Sequence, residues 1–269
     1  MALLRVDATP LLRPMRSELL ALLASLAGSD WTRETSCPGW DVHAIAAHLL
    51  GVELGNVSLR RDRWGVAPAA GEDPGTWLNA FNQQWVDAMR RVSPLLLIEQ
   101  LALASRRFEE YALTVDLDAP GGPVEWATGT GPAPVWLDIA REFMERYVHQ
   151  HQIRQATGRP QLGAVFTAPV LVTAAHALPV ALQPISRPPG TALLFVAEGD
   201  GGGSWRVTRA GSGWELDAGE PRGQPSCEIR TSVNGAIGLF VRDPGRPPPR
   251  WRGDGELAGA VLSVKAILG

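Results

Sequence analysis

Five histidines, His43, His48, His149, His151 and His176, are the side chains of this 269-residue sequence best suited to hold a metal or to move a proton. The segment Glu142-Phe-Met-Glu-Arg-Tyr-Val-His149 concentrates that chemistry. Residues four apart on a helix lie about 40° apart around the axis, one turn above the other. Glu145 and His149 therefore leave one face, and a carboxylate and an imidazole at that spacing can reach a single ion. Asp138 and Glu142 fall on much the same stripe, whereas His151, roughly 200° from His149, points elsewhere. The same spacing also suits a solvated helix pair. A histidine such as His48, between Ala47 and Leu49 in an apolar run, is commonly a satisfied core residue. Both helix sides would be buried in a bundle, where an unpaired acid is costly unless something compensates it. Spacing alone leaves the metal reading and the solvated-pair reading open.

The elements that must position these residues are legible from periodicity and caps. A first helix starts at Thr9-Pro10, with Leu12, Met15, Leu19 and Leu23 at helical spacing. Asp41 caps a second, whose apolar stripe is Val42, Ile45, Ala46, Leu49 and Val52. A third spans Thr76 to Arg91 with Trp77, Phe81, Trp85 and Met89 on one side, and a fourth runs from Ser93-Pro94 to Leu113. After a Pro/Gly-rich loop from Asp118 to Pro134, a fifth spans Val135 to Thr157 and stops at Gly158. Short connections between helices of this kind predict an up-down four-helix bundle over residues 1–160. Trp40, Trp77, Trp85 and Trp136 sit on or beside the apolar stripes and are expected in its core.

Residues 161–269 have a different texture. Thr167 to Leu182 reads as a helix; Leu193 to Ala197, Trp205 to Arg209, Trp214 to Asp217 and Ser226 to Thr231 read as strands. Gly199 to Gly203 and Gly211 to Gly213 supply turns, and Val233 to Phe240 and Glu256 to Leu268 return to helix. This predicts a small α+β domain with an antiparallel sheet. The glycine cluster lacks the GxxxxGK[ST] pattern of a phosphate loop.

Composition narrows the function classes. A hydrophobic share of 45% and a charged share of 20% are those of a globular protein. A net charge of −3 gives no electrostatic case for nucleic acid or an anionic membrane. No stretch reads as the roughly 20 apolar residues of a membrane span, and charges at Arg5, Asp7 and Arg13 interrupt any signal-like run. A cytoplasmic protein, monomer or homodimer, is expected. Lys265 is the only lysine, and the excess of Ala, Gly, Pro and Arg reads as the coding bias of a GC-rich genome. Cys37 and Cys227 share no metal-binding or redox spacing; Cys37 is read as a structural thiol.

Two stretches carry a family resemblance. Cys37-Pro-Gly-Trp-Asp-Val-His-Ala-Ile-Ala-Ala-His48-Leu-Leu-Gly-Val-Glu53 is similar to a WxVxDxxxHLxxxE region. Glu145-Arg-Tyr-Val-His149-Gln-His-Gln-Ile-Arg154-Gln-Ala-Thr-Gly158 is similar to an ExxxHxxDIRxxxG region. Both belong to the DinB/YfiT-like metalloenzymes and, within them, to the mycothiol-dependent maleylpyruvate isomerases. The resemblance implies a DinB-like bundle followed by a sterol-carrier-like domain, echoed by Trp251-Arg-Gly-Asp254-Gly-Glu-Leu-Ala258. It implies His48, Glu145 and His149 as ligands of a divalent metal, zinc foremost, with nickel, manganese or iron as alternatives, and mycothiol as cosubstrate. It implies a catalytic arginine in the second domain, for which Arg242 is the nearest candidate and Arg246 the next. Gln152 stands where the family usually has Asp, so an amide replaces a charge two residues before Arg154. Arg154 itself is a candidate for binding an anionic cosubstrate, or else pairs with a neighbouring acid.

Two histidines and one carboxylate would leave a zinc ion with an open position. The implied activity is an isomerase or S-transferase in which a metal-activated thiol attacks a small electrophile. Two alternatives come from other classes: a small-molecule or lipid-binding protein with a structural or vestigial metal site, and a water-activating metal hydrolase.

Overall fold

In the helical part, caps and apolar stripes decide where each element begins. The computed structural model describes residues 4–66, 69–211, 213–218, 223–241, 243 and 245–264. Helix α1 spans Thr9–Ala24, α2 Val42–Asn56, α3 Pro74–Met89 and α4 Pro94–Ala112. Asp41, Asp73 and Ser93 accept hydrogen bonds from the amides of Ala44, Thr76 and Leu96, satisfying donors that a helix start otherwise leaves open. The chain leaves α2 through a π-helical turn at Val57–Arg61. A short helix α5, Glu125–Thr128, interrupts the loop expected before α6, which spans Val135–Thr157 as the sequence predicts. Four residues cannot display a helical period, so α5 is invisible to pattern reading.

Contacts divide the chain into two compact units. One comprises the described residues within Met1–Ala8, Asp116–Glu145 and Leu162–Leu268, and the other lies within Thr9–Val115 and Arg146–Gln161. The boundary falls inside the unbroken helix α6, between Glu145 and Arg146. In the helical unit, one core cluster gathers Leu19 and Leu23 of α1, Ile45 and Leu49 of α2, Leu97 and Leu101 of α4, and Ile153 of α6.

The other unit holds a five-stranded sheet: β1 Ala192–Glu198, β2 Gly203–Ala210, β3 Gly213–Ala218, β4 Cys227–Ser232 and β5 Arg250–Gly253. Its order is β3-β2-β1-β4-β5, with β4 parallel to β1 in the register Leu193↔Cys227 and the remaining pairs antiparallel. The sheet is therefore mixed rather than antiparallel. Tight glycine turns announce the β1–β2 and β2–β3 hairpins, whereas β4 pairs with the other edge of β1 rather than with β3. Strand β5, Arg-Trp-Arg-Gly, is exposed on every residue and shows no apolar alternation, so it too escapes sequence reading. The helix expected over 167–182 is two, α7 (Ala164–Ala175) and α8 (Ala177–Leu182), parted at His176. Helices α9 (Val233–Phe240) and α10 (Gly255–Leu262) complete the unit.

Two stretches, Val42–Arg61 and Ala164–Leu182, are long and apolar enough to cross a membrane, contrary to the sequence-based expectation. In the fold, 61% and 67% of their most apolar 18-residue windows are buried inside protein, as in core helices.

Candidate metal centre

Helix α2 is apolar almost all round, and this is why His48 is only 2% exposed. His149 on α6 is equally buried at 2%, and Glu145, one turn before it, is half-buried. One donor atom from each of the three lies within 4.8 Å of the others. The imidazoles of His48 and His149 meet edge to face, with centroids 4.7 Å apart and planes at 72°. Bonds of about 2.1 Å in a tetrahedral site would need donor separations of about 3.4 Å, so side chains closing by up to about 1.4 Å could share an ion. The donor set fits a divalent cation of borderline softness, and three protein donors leave a fourth position for an outside ligand.

The surroundings fix these donors. The Oε1 of Gln152 lies 2.8 Å from His149 Nδ1. An amide oxygen only accepts, so Nδ1 carries the proton and Nε2 keeps its lone pair for the site. Gln152 thus serves as the neutral hydrogen-bond partner that an amide in place of Asp can be. The indole of Trp40 lies 4.8 Å from the His48 ring and 6.4 Å from that of His149. Its Nε1–H donates to Gln83 Oε1 on α3 at 2.9 Å. Of the tryptophans expected in the core, Trp136 is buried and Trp40, half-buried, packs against the helical core while walling this site; Trp77 and Trp85 on α3 are half-buried. Helix α3 comes close because residue 51 is glycine: a Cβ there would stand 2.6 Å from the Trp85 ring.

Sequence reading missed a buried ion pair. Glu53 (1% exposed) on α2 takes Arg146 (4% exposed) on α6 in a fork, Nε to Oε1 at 2.8 Å and Nη2 to Oε2 at 2.6 Å. Ser105 on α4 donates to the same Oε1 at 2.9 Å, and the Arg146 guanidinium sits 4.5 Å over the Phe108 ring. The available signal was an acid inside the apolar run of α2.

The other candidates lie elsewhere. Asp138 and Glu142 share the Arg141 Nη2 at 2.9 Å each, rather than joining the cluster. His43 Nε2 lies 2.8 Å from the Val92 carbonyl, and His151 stacks on Tyr147. His176, fully buried, accepts the Leu4 amide at Nε2 and donates from Nδ1 to the Thr173 carbonyl; burial pushes its pKa below the ordinary value. Arg154, 8% exposed, donates to Glu18 Oε2 and to the Pro160 carbonyl, both at 2.9 Å. Arg242 lies outside the described residues; Arg246 donates to the Asp243 carbonyl. Neither Cys37 nor Cys227 is in a disulfide, and burial first, then Asp254 and Glu228, pushes Cys227 up to about 11.

Residues 12–154, just over half of the chain, match the family described as the mycothiol maleylpyruvate isomerase N-terminal domain. The fold is similar to a crystal structure of the mycothiol-dependent maleylpyruvate isomerase, with TM-score 0.55 and 13% identity over 90% of this chain and 91% of that one. A mutant of that isomerase gives the same score and identity over 88% of both chains. At such identity the likeness speaks for the fold. No curated protein matches the sequence significantly.

Proposed function

The chain belongs to the mycothiol maleylpyruvate isomerase N-terminal domain family, and on that premise we propose that it is a divalent-metal-dependent enzyme using mycothiol on a small electrophilic substrate, as an isomerase or an S-transferase. The observation that carries the proposal is the convergence of His48, Glu145 and His149 donor atoms within 4.8 Å. Bound there, a divalent cation, zinc foremost, would supply Lewis acidity and make the thiolate of an incoming thiol available near neutral pH. The chain's own residues do the positioning. Gln152 holds the His149 tautomer, Glu145 contributes negative charge, and Trp40 closes one side with an apolar wall that keeps water from the thiol.

The thiolate sulfur forms a bond to the electrophilic carbon while the π pair of the carbon–carbon double bond moves onto the conjugated carbonyl. The former double bond can then rotate. Expulsion of the thiolate returns the pair and gives an isomer, whereas protonation of the carbon gives the thioether of an S-transferase. Arg154 can take an anionic group of cosubstrate or substrate by exchanging it for Glu18, whose side chain is 47% exposed. Arg242 is assigned the catalytic contribution of residues 161–269, which we read as a sterol-carrier-like domain. Residues 1–160 are read as an up-down four-helix bundle of DinB type, and the protein as a cytoplasmic monomer or homodimer.

The test pairs elemental analysis with an assay of maleylpyruvate conversion in the presence of mycothiol. Wild type should carry one equivalent of metal and His149→Ala little. Conversion should need both metal and thiol. Turnover without thiol would favour a hydrolase, and loss of fold on chelation would favour a structural site.

A further inference from the structure

We infer that the Glu53–Arg146 ion pair is a positioning device that sets α2 against α6 so that the ligand histidines meet; this rests on the metal-dependent reading above. Glu53 follows His48 by five residues on α2, and Arg146 precedes His149 by three on α6. Those spacings put the pair about 7.5 Å and about 4.5 Å along the two helix axes from the respective histidines. The helices are thus joined at two points: the fork between Glu53 and Arg146, and the site where the imidazole centroids stand 4.7 Å apart.

Two observations separate positioning from mere cohesion. Both side chains are buried, 1% and 4% exposed, and a buried pair of this kind is often no more stabilising than apolar side chains of similar volume. What it provides instead is direction. Apolar ridges tolerate small slides, but a bidentate fork holds one register. That fork is itself pinned, since Glu53 Oε1 also accepts from Ser105 and the guanidinium lies on the Phe108 face. The pair also has no room for an organic ligand beside it. It lines, with Arg16, Glu109 and Gln150, only a water-sized cavity. The ligand donors must come to about 3.4 Å to share an ion, so a slide of an ångström between helices matters to the metal and hardly to the core.

The experiment replaces the pair by apolar residues in the full chain, Glu53→Leu with Arg146→Met. Thermal melting in chelator reports the fold. Zinc affinity comes from competition with a chromophoric chelator, and bound Co2+ gives a visible spectrum sensitive to ligand geometry. The double variant should melt at or above wild type, bind zinc at least about tenfold more weakly, and show a changed Co2+ spectrum. Zinc affinity within twofold of wild type with an unchanged Co2+ spectrum overturns the inference. If the double variant does not fold, Glu53→Gln, which keeps the shape and loses the charge, is judged by the same tenfold and twofold criteria. A wild type that takes up no zinc would overturn the metal reading itself, and this inference with it, whereas zinc-binding wild type beside an unaffected double variant refutes the inference alone.

Discussion

Replacing Gln152 by alanine removes the acceptor that holds His149 Nδ1–H at 2.8 Å. Gln152 and His149 are 8% and 2% exposed, so water cannot readily take the acceptor's place. A buried donor left without a partner costs about 1–3 kcal/mol. The ring has an escape: it can move its proton to Nε2 and turn Nδ1 outward, but then the lone pair no longer faces Glu145 and His48. Either way the cost falls on metal binding. Loss of such an orienting partner typically weakens metal affinity about 10–100-fold, or about 1.4–2.7 kcal/mol, which agrees with the hydrogen-bond figure. Gln152→Asp should act in the opposite direction, because a carboxylate facing Nδ1–H makes Nε2 a more basic donor. The assay is zinc competition against a chromophoric chelator at fixed pH, with wild type, Gln152→Ala and Gln152→Asp side by side. Affinities ranked Asp, then Gln, then Ala are expected, with at least a tenfold step to Ala. An alanine variant within twofold of wild type would refute the claim that this hydrogen bond sets the ligand tautomer.

Three further outcomes are expected. Gly51→Val places a side chain where even a Cβ would stand 2.6 Å from the Trp85 ring, so overpacking should cost about 1–3 kcal/mol in denaturant unfolding and shift tryptophan emission; unchanged stability and emission would contradict the close α2–α3 approach. His176 has a folded-state pKa below its ordinary 6.5, so the unfolded chain binds the proton first as pH falls. Its contribution to stability is therefore whole above about 6.5 and is lost progressively below it; melting at pH 7.5 and 5.5 should show this drop, and His176→Gln should make the drop smaller. With its thiol pushed up to about 11, Cys227 is about one part in a thousand thiolate at pH 8, so alkylation followed by peptide mass analysis should find the native protein modified at Cys37 before Cys227.

The periodicity of Leu12, Met15, Leu19 and Leu23, and the caps at Asp41 and Ser93, are properties of neighbouring residues. They mark the starts of α1, α2, α4 and α6 to within a residue, and for α4 and α6 the ends as well. The Glu145–His149 spacing is local in the same sense, because one helix turn decides it. His48 is different: nothing in its own helix says that α2 will lie beside α6, and only its resemblance to a motif singled it out before the fold placed it. Glu53 and Arg146 are 93 residues apart, Trp40 and Gln83 are 43 apart, and no pattern of nearest neighbours encodes such meetings. The parallel pairing of β4 with β1 was hidden for a related reason, since a strand's alternation states which face is buried and not which edge it joins. Tertiary packing decided those partnerships by burying charged and aromatic groups where each had a complement.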